Sequence, residues 1–367
     1  MARDPTRPAL AGLVPYEPGK PVEEVQRELG LERVVKLASN EGQFGPFPAA
    51  IEALRRGHPE LNRYPDGGGW RLVQRLAEKH GVEPSSIALA AGADAVIAYL
   101  CLATLDPDDE VVFGWPSFAS YPLAAMKMGA KAVRVPLTDH AYDVERILAA
   151  ITERTRIVYL CNPNNPTGTM ISRAAVDGYF GRVPEHVLTV LDEAYHEYVD
   201  EPDYTEGIEE HVKSGRDVLV LRTFSKIYGL AGLRVGYGVG PKEAVDSIKK
   251  VRNAFDITQA AQDAAVASLD DTEELARRRA FNAEARAHLV GLCSGLDLIL
   301  APRPVANFVY AEVGEDSRPV CEALMREGVI VRPLAPFGAP GAIRVTVGTQ
   351  EENELFAQAL RRVLTPA

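Results

Sequence analysis

Residues suited to binding or to proton transfer follow five short apolar runs of this chain. They are Gly92, Phe118, Asn165, Asp192 with Tyr195, and Lys226 with Arg234. The apolar runs are predicted strands. Because ligands bind at the carboxyl ends of the strands in an open α/β sheet, we expect these residues to surround one site.

Each residue also has a purely structural explanation. Gly92 can serve a turn, and the segment from 162 to 168, NPNNPTG, is rich in turn-forming residues. Asp192 can cap a helix, Phe118 can belong to the core, and Lys226 can be a solvated charge. The joint occurrence of all five groups, in order along the chain, favours a common site.

These residue types are the ones that pyridoxal phosphate requires. A lysine amine bonds to the cofactor's aldehyde, and a carboxylate keeps its ring nitrogen protonated. A flat side chain stacks on the ring, and donors stabilise the ring oxygen. A helix N-terminus, hydroxyl groups and an arginine bind the phosphate. The sequence therefore predicts pyridoxal 5′-phosphate as the cofactor.

Strands and helices that alternate along the chain must position these residues. The predicted strands are Ile87–Ala90, Glu110–Phe113, Ala132–Val135, Arg156–Cys161, Val187–Leu191, Val218–Arg222 and Leu233–Val239. Helical periodicity lies between them, as in Ala93–Thr104, which indicates βαβ units and a mostly parallel sheet.

From residue 242 to 292 the pattern is almost entirely helical, and shorter strands alternate with helices after it. We therefore predict an α/β fold: a large domain with a mostly parallel seven-stranded sheet sandwiched by helices, and a smaller α+β domain. The predicted division is 1–35 for an N-terminal arm and part of the small domain, 36–250 for the large cofactor-binding domain, and 251–367 for the small C-terminal domain.

The composition narrows the class of protein. The 367 residues carry a net charge of −11, which argues against a nucleic-acid-binding protein. No apolar run approaches the roughly 18 residues of a membrane-spanning helix, and no signal peptide is indicated. The four cysteines are widely separated and predicted to be reduced. We expect a cytoplasmic enzyme with no membrane or nucleic-acid partner. No metal site is predicted, because His196 and Glu197 begin an H-E-x-x-H pattern that ends in Asp200.

The order of the motifs resembles the fold-type I aminotransferases of class I/II. The motifs are G-A-D (92–94), P-S-F (116–118), N-N-P-T-G (164–168), D-E-A-Y (192–195), T-F-S-K (223–226) and G-L-R-V-G-Y (232–237). More narrowly, the chain is similar to the histidinol-phosphate aminotransferase branch, through KLASNE (36–41), LNRYPDGGG (61–69), GVIVRPL (328–334) and IRVTVGTQEEN (343–353). These motifs span nearly the whole chain.

The resemblance implies a role for each matching residue. Lys226 would bond to the cofactor, Asp192 would pair with its ring nitrogen, Asn165 and Tyr195 would bind its ring oxygen, and Phe118 would stack on the ring. The expected catalytic residues are Lys226, Asp192 and Tyr195.

At the phosphate, the resemblance implies backbone donors from Ala93 and Asp94, together with Thr223, Ser225 and Arg234. It also implies Tyr64 from the partner subunit, and hence a homodimer with shared active sites. The implied substrate-binding residues are Tyr16, Arg332, Arg344 and Asn165. The chain departs from the family in two places: alanine replaces a frequent serine at position 93, and N-E-G-Q (40–43) replaces the usual N-E-N-P.

The implied reaction is ping-pong transamination between an amino donor and 2-oxoglutarate, with Lys226 moving the proton. Histidinol phosphate is the favoured donor, because Arg344 and Arg332 together suit a dianion. Phenylalanine or tyrosine is the alternative, since a single carboxylate would bind Arg344. A threonine-phosphate decarboxylase is a third reading. A regulator that binds the cofactor without catalysis is disfavoured, because the chain lacks a basic DNA-binding domain.

Overall fold

The computed structural model describes residues 6–13, 19–57 and 60–364. Its strands are β1 (Val35–Leu37), β2 (Ile87–Ala90), β3 (Glu110–Trp115), β4 (Lys131–Pro136), β5 (Thr155–Cys161), β6 (Leu188–Asp192), β7 (Val218–Thr223), β8 (Gly236–Val239), β9 (Ile299–Leu300), β10 (Phe308–Glu312), β11 (Val329–Pro333) and β12 (Ala342–Thr346). Its helices are α1 (Val22–Leu29), α2 (Pro48–Arg55), α3 (Trp70–His80), α4 (Ala93–Thr104), α5 (Ser120–Met128), α6 (Val144–Ala149), α7 (Arg173–Phe180), α8 (Lys242–Val251), α9 (Gln259–Asp270), α10 (Thr272–Ser294), α11 (Arg318–Arg326) and α12 (Gln350–Leu364).

Seven strands form the larger sheet, in the order β2-β8-β7-β6-β5-β3-β4. Strand β8 runs antiparallel to its neighbours β2 and β7, and the other pairs are parallel. Every residue of β7 is buried, as are the last five of β5, as expected of strands covered on both faces. The predicted α/β class and its mostly parallel seven-stranded sheet are confirmed.

A second sheet has the order β1-β11-β12-β10-β9 and its own apolar core, which α10, α11 and α12 help to form. Strand β1, near the N-terminus, runs parallel to β11 in this sheet. The chain thus contributes to the smaller sheet from both of its ends.

The boundaries of the two domains stay a prediction. The packing favours a later division than residue 250, because buried residues of α9 such as Ala261 and Leu269 belong to the core of the larger sheet. It also favours assigning all of β1 to the smaller domain.

One predicted strand is shorter than expected. The sequence predicts a strand over Leu233–Val239, but β8 begins at Gly236. A 3-10 turn occupies Ala231–Leu233, and Arg234 adopts a left-handed conformation with φ of 53°. This turn directs the chain back towards the ends of the neighbouring strands. Within the described part of the chain, no helix has both the length and the apolar character needed to cross a membrane.

Candidate active site

A pocket lies where the strands of the larger sheet end, and the smaller domain contributes Phe337 and Arg344 to its wall. Its lining includes these predicted residues: Ala93, Asp94, Phe118, Asn165, Asp192, Tyr195, Thr223, Ser225, Lys226, Arg234 and Arg344. Since β5, β6 and β7 are parallel neighbours, residues far apart in sequence meet at one edge. The structure therefore brings together the residues that follow five separate strands.

Lys226 is partly buried in the middle of this pocket. Its Nζ donates to the backbone oxygen of Ser39 at 3.5 Å and lies 5.5 Å from the centre of the Tyr195 ring. Burial lowers the pKa of this amine from 10.5 to about 8, and the positive charge of Arg344 adds to the effect. Lys226 can therefore exchange a proton near neutral pH.

Asp192 ends β6 and is only 4% exposed. The Tyr121 hydroxyl donates to its Oδ2 at 2.7 Å, and the Ala194 backbone N–H donates to its Oδ1 at 3.1 Å. Burial raises the pKa of Asp192, while these two hydrogen bonds oppose that rise. A cationic N–H group placed against this carboxylate would be strongly stabilised.

Tyr195 and Asn165 are held by residues outside their own loops. The Asn40 side-chain amide donates to the Tyr195 hydroxyl at 2.9 Å. Arg344 Nη1 donates to Asn165 Oδ1 at 2.5 Å, and its Nη2 donates to the backbone oxygen of Ala38 at 2.8 Å. Because Arg344 comes from β12, its bond to Asn165 ties the smaller domain to the ends of the large-sheet strands.

The N-terminus of α4 and the guanidinium of Arg234 lie side by side at another part of the pocket. Gly92 precedes α4 with φ of 93° and ψ of 161°, a conformation open essentially to glycine. A Cβ atom there would lie 2.6 Å from Arg234 Nη2. Arg234 also donates to the Ser225 hydroxyl at 3.4 Å, and Thr223 Oγ1 accepts from the Ser225 N–H at 3.1 Å. A helix N-terminus, a cation and two hydroxyls together make an anion site.

Arg332, a predicted substrate-binding residue, lies beside Arg344 but does not line this pocket. The two residues are opposite each other in the β11–β12 pair. Both guanidinium carbons lie near the ring of Phe337, at 5.6 Å for Arg332 and 5.5 Å for Arg344. Arg332 lines a neighbouring cavity together with Gly19.

One further predicted residue, Tyr64, lies away from the described pocket. Tyr64 is 80% exposed and its ring stacks on that of Phe255, with centroids 4.4 Å apart. Asp256, which follows Phe255, accepts from the Ala91 N–H at 2.8 Å. The surface that carries Tyr64 and Phe255 therefore adjoins the segment that leads into α4. Tyr16 lies outside the described residues.

Three residues that contact predicted site residues or line the pocket were not predicted from the sequence. Tyr121 lies three positions after Phe118, and its position soon after the end of a predicted strand could have indicated a site residue. Asn40 falls inside the KLASNE motif. Phe337 lies within none of the motifs, and only the packing of the smaller domain brings its ring to the pocket. Among the described residues, no cluster of three or more histidine, cysteine or acidic side chains is arranged to hold a metal ion.

The seven-stranded sheet, the smaller α+β domain and a lysine at the strand ends define the class of protein: the fold-type I transferases. The chain belongs to the family "Aminotransferase class I and II", whose sequence profile matches residues 32–360. The protein is therefore a transaminase.

Two relatives and one solved structure show which branch of the family the chain is similar to. The chain is 45% identical to the histidinol-phosphate aminotransferase of Moorella thermoacetica, over 98% of this chain and 92% of that protein. It is 42% identical to histidinol-phosphate aminotransferase 1 of Nitrosococcus oceani, over 97% and 95%. The crystal structure of histidinol-phosphate aminotransferase from Sinorhizobium meliloti, in complex with pyridoxal-5′-phosphate, superposes with a TM-score of 0.89 at 29% identity and covers 99% of this chain and 98% of that one.

Proposed function

We propose that this chain transfers an amino group from histidinol phosphate to 2-oxoglutarate, with pyridoxal phosphate as its cofactor. The observation that carries the proposal is the buried guanidinium of Arg344 in the same pocket as Lys226. It offers an anion-binding group next to the reactive amine. The names of the relatives, which align over nearly the whole chain, support the same substrate.

The donor set of the pocket fits pyridoxal phosphate. Asp192 is a buried carboxylate with its own hydrogen-bond donors, suited to a protonated ring nitrogen. Phe118 offers a flat ring, and it meets Tyr121 edge-on at 5.7 Å, which holds its orientation. Gly92 leaves a space next to the Arg234 guanidinium, and any Cβ atom at position 92 would fill that space. We assign the phosphate to Arg234, Thr223, Ser225 and the N-terminus of α4.

The cofactor, when bound, supplies an electron sink for the carbon next to the substrate nitrogen. The chain's own residues transfer the proton and hold the cofactor ring in place. Lys226 Nζ, with its pKa near 8, holds or releases the proton, as a general base and acid must. Asp192 would hold a proton on the ring nitrogen of the cofactor. Tyr195 and Asn165 present a hydroxyl and an amide to the ring oxygen.

Two neighbouring arginines, Arg344 and Arg332, are the candidates for binding the substrate's anionic end. Arg344 is fixed by Asn165 and Ala38, so its guanidinium is oriented before the substrate arrives. We assign the phosphate of histidinol phosphate to Arg344 first, with Arg332 as the second cation beside it. Tyr16 belongs to the same proposed set.

A second candidate is an aromatic amino acid as the donor. One observation favours it: Arg344 lines the described pocket and Arg332 does not. A single guanidinium matches a carboxylate, and the Phe337 ring in the pocket wall would suit an aromatic side chain.

We also propose a homodimer in which each subunit completes the other's site. Large apolar side chains lie exposed on one stretch of the chain: Leu61 at 79%, Tyr64 at 80% and Trp70 at 65%. Where exposed apolar side chains form one contiguous patch, they mark an association surface. We assign Tyr64 to the phosphate in the partner's site. A location in the cytoplasm stays a prediction from the sequence.

Comparison of kcat/KM for histidinol phosphate and phenylalanine, each with 2-oxoglutarate, tests the substrate. We expect a clear preference for histidinol phosphate, and a preference for phenylalanine would replace it with the second candidate. The visible absorbance of the protein with pyridoxal phosphate tests the cofactor. The band of the lysine-linked cofactor must disappear in Lys226→Ala, and a band that persists there would refute the role of Lys226.

A further inference from the structure

Glu193 and Arg222 form a buried ion pair on the face of the larger sheet that points away from the pocket. Glu193 is 0% exposed and Arg222 is 3% exposed. Arg222 donates to Glu193 Oε2 through Nε at 2.7 Å, and its Nη2 lies 2.5 Å from the same oxygen. Such a pair costs desolvation energy and is weak support for stability by itself.

The position of this pair in the chain links it to the site. Glu193 follows Asp192, and Arg222 precedes Thr223. Since successive side chains of a strand point to opposite faces, the two pocket residues and the two ion-pair residues lie back to back. The Glu193 N–H donates to the Leu221 oxygen at 3.0 Å and so extends the β6–β7 ladder to the end that carries the site.

A third segment is joined to the same carboxylate. Glu193 Oε1 accepts from the Gly207 N–H at 2.7 Å. A Cβ at Gly207 would lie 2.8 Å from that oxygen and 2.5 Å from Leu191 Cδ2, so this close approach requires glycine. Both carboxylate oxygens of Glu193 are therefore engaged by fixed partners.

We propose that Glu193 and Arg222 are positioning residues that set the end of β6 relative to the end of β7. This inference rests on the proposed cofactor. Asp192 on β6 would hold the ring nitrogen, whereas Thr223 and Ser225, at and after the end of β7, would hold the phosphate. A rigid molecule that touches both strands binds well only when the strands are correctly placed, while a ligand that touches β7 and α4 alone does not sense β6.

The test compares two ligands on the cofactor-free, full-length protein: pyridoxal phosphate and inorganic phosphate. The main variant is Glu193→Met/Arg222→Met, which removes both charges together and so avoids a buried unpaired ion. We expect the affinity for pyridoxal phosphate to fall about tenfold or more, with less than about a twofold change for inorganic phosphate. A general loosening of the fold would instead weaken both ligands together.

Two further variants keep the test decisive. Arg286→Met/Asp200→Asn removes another ion pair, 2.8 Å long, that touches no pocket residue, and both affinities should stay as in the wild type. Glu193→Gln keeps only one acceptor oxygen, so it can accept from Arg222 or from the Gly207 N–H but not from both, and it removes the charge that binds the guanidinium. It leaves Arg222 without its charged partner, so we expect its affinity for pyridoxal phosphate to fall as well, again with little change for inorganic phosphate, and it replaces the double variant if that one does not fold.

The possible failures are distinguishable. If the wild-type protein does not bind pyridoxal phosphate, the proposed function fails. If the wild type binds it, and the variants of Glu193 and Arg222 lose both ligands equally or lose neither, the positioning role is overturned.

Discussion

Replacing Tyr121 by phenylalanine removes one hydroxyl from the buried face of Asp192. That hydroxyl donates to Oδ2 at 2.7 Å. Hydrogen bonds to charged groups contribute about 1.5–3 kcal/mol, and each 1.4 kcal/mol corresponds to about a factor of ten. If the charged carboxylate acts in the transition state, kcat/KM should fall by roughly tenfold to a hundredfold.

The direction of the pH dependence follows from the same hydrogen bond. Burial raises the pKa of Asp192, and the Tyr121 hydroxyl lowers it by stabilising the charged form. Loss of the hydroxyl therefore raises that pKa further, and protonation sets in at higher pH. The acid limb of the kcat/KM profile should move to higher pH in Tyr121→Phe.

Tyr159→Phe is a matched control. The rings of Tyr121 and Tyr159 stack with centroids 4.3 Å apart, and both are fully buried. The Tyr159 hydroxyl, however, contacts Cys101 Sγ at 3.4 Å instead of Asp192. Steady-state kinetics from acid to neutral pH should show the loss and the pH shift in Tyr121→Phe alone. Equal losses in both variants, or wild-type kinetics in Tyr121→Phe, would refute the role assigned to this hydrogen bond.

Three other predictions concern the pocket. The rate at which the cofactor-free protein takes up pyridoxal phosphate should rise with pH around a midpoint near 8, because only the neutral Lys226 amine reacts; a midpoint near 10.5, the pKa of an ordinary lysine, would contradict the lowered pKa. Asp192→Asn should lower turnover by orders of magnitude while pyridoxal phosphate still binds, as measured by kinetics and absorbance; near-normal turnover would exclude the electron-sink role. Gly92→Ala should cost about 1–3 kcal/mol of backbone strain and weaken cofactor binding by displacing Arg234, whereas Gly291→Ala, in open space on α10, should leave binding unchanged in the same titration.

Local sequence patterns were sufficient to predict most of the residues that line the pocket. Asp192, Thr223 and Lys226 each lie at or just after the end of an apolar strand, and the order of strands along the chain places their ends on one edge of a parallel sheet. The pocket lining agrees with that expectation for the predicted residues of the larger sheet, from Ala93 to Arg234. The individual roles of these residues stay proposals.

Other features depend on contacts between distant segments. The bend at Arg234 shortens the predicted strand, and nothing in the apolar run of residues 233–239 signals a left-handed residue. Phe337 enters the pocket only because the smaller domain packs there. Asn40 reaches Tyr195 across 155 positions of sequence.

The motifs along the chain indicated the family by resemblance. The sequence by itself determined the fold class and the set of groups that face one edge of the sheet. It could do so because strand periodicity and strand-end residues are local properties of the chain. Only the tertiary structure decided which partner each group has. Tyr121 donates to Asp192, Arg332 lies near Phe337, and Glu193 pairs with Arg222. Such side-chain contacts depend on sheet order, register and domain packing, which no local pattern specifies.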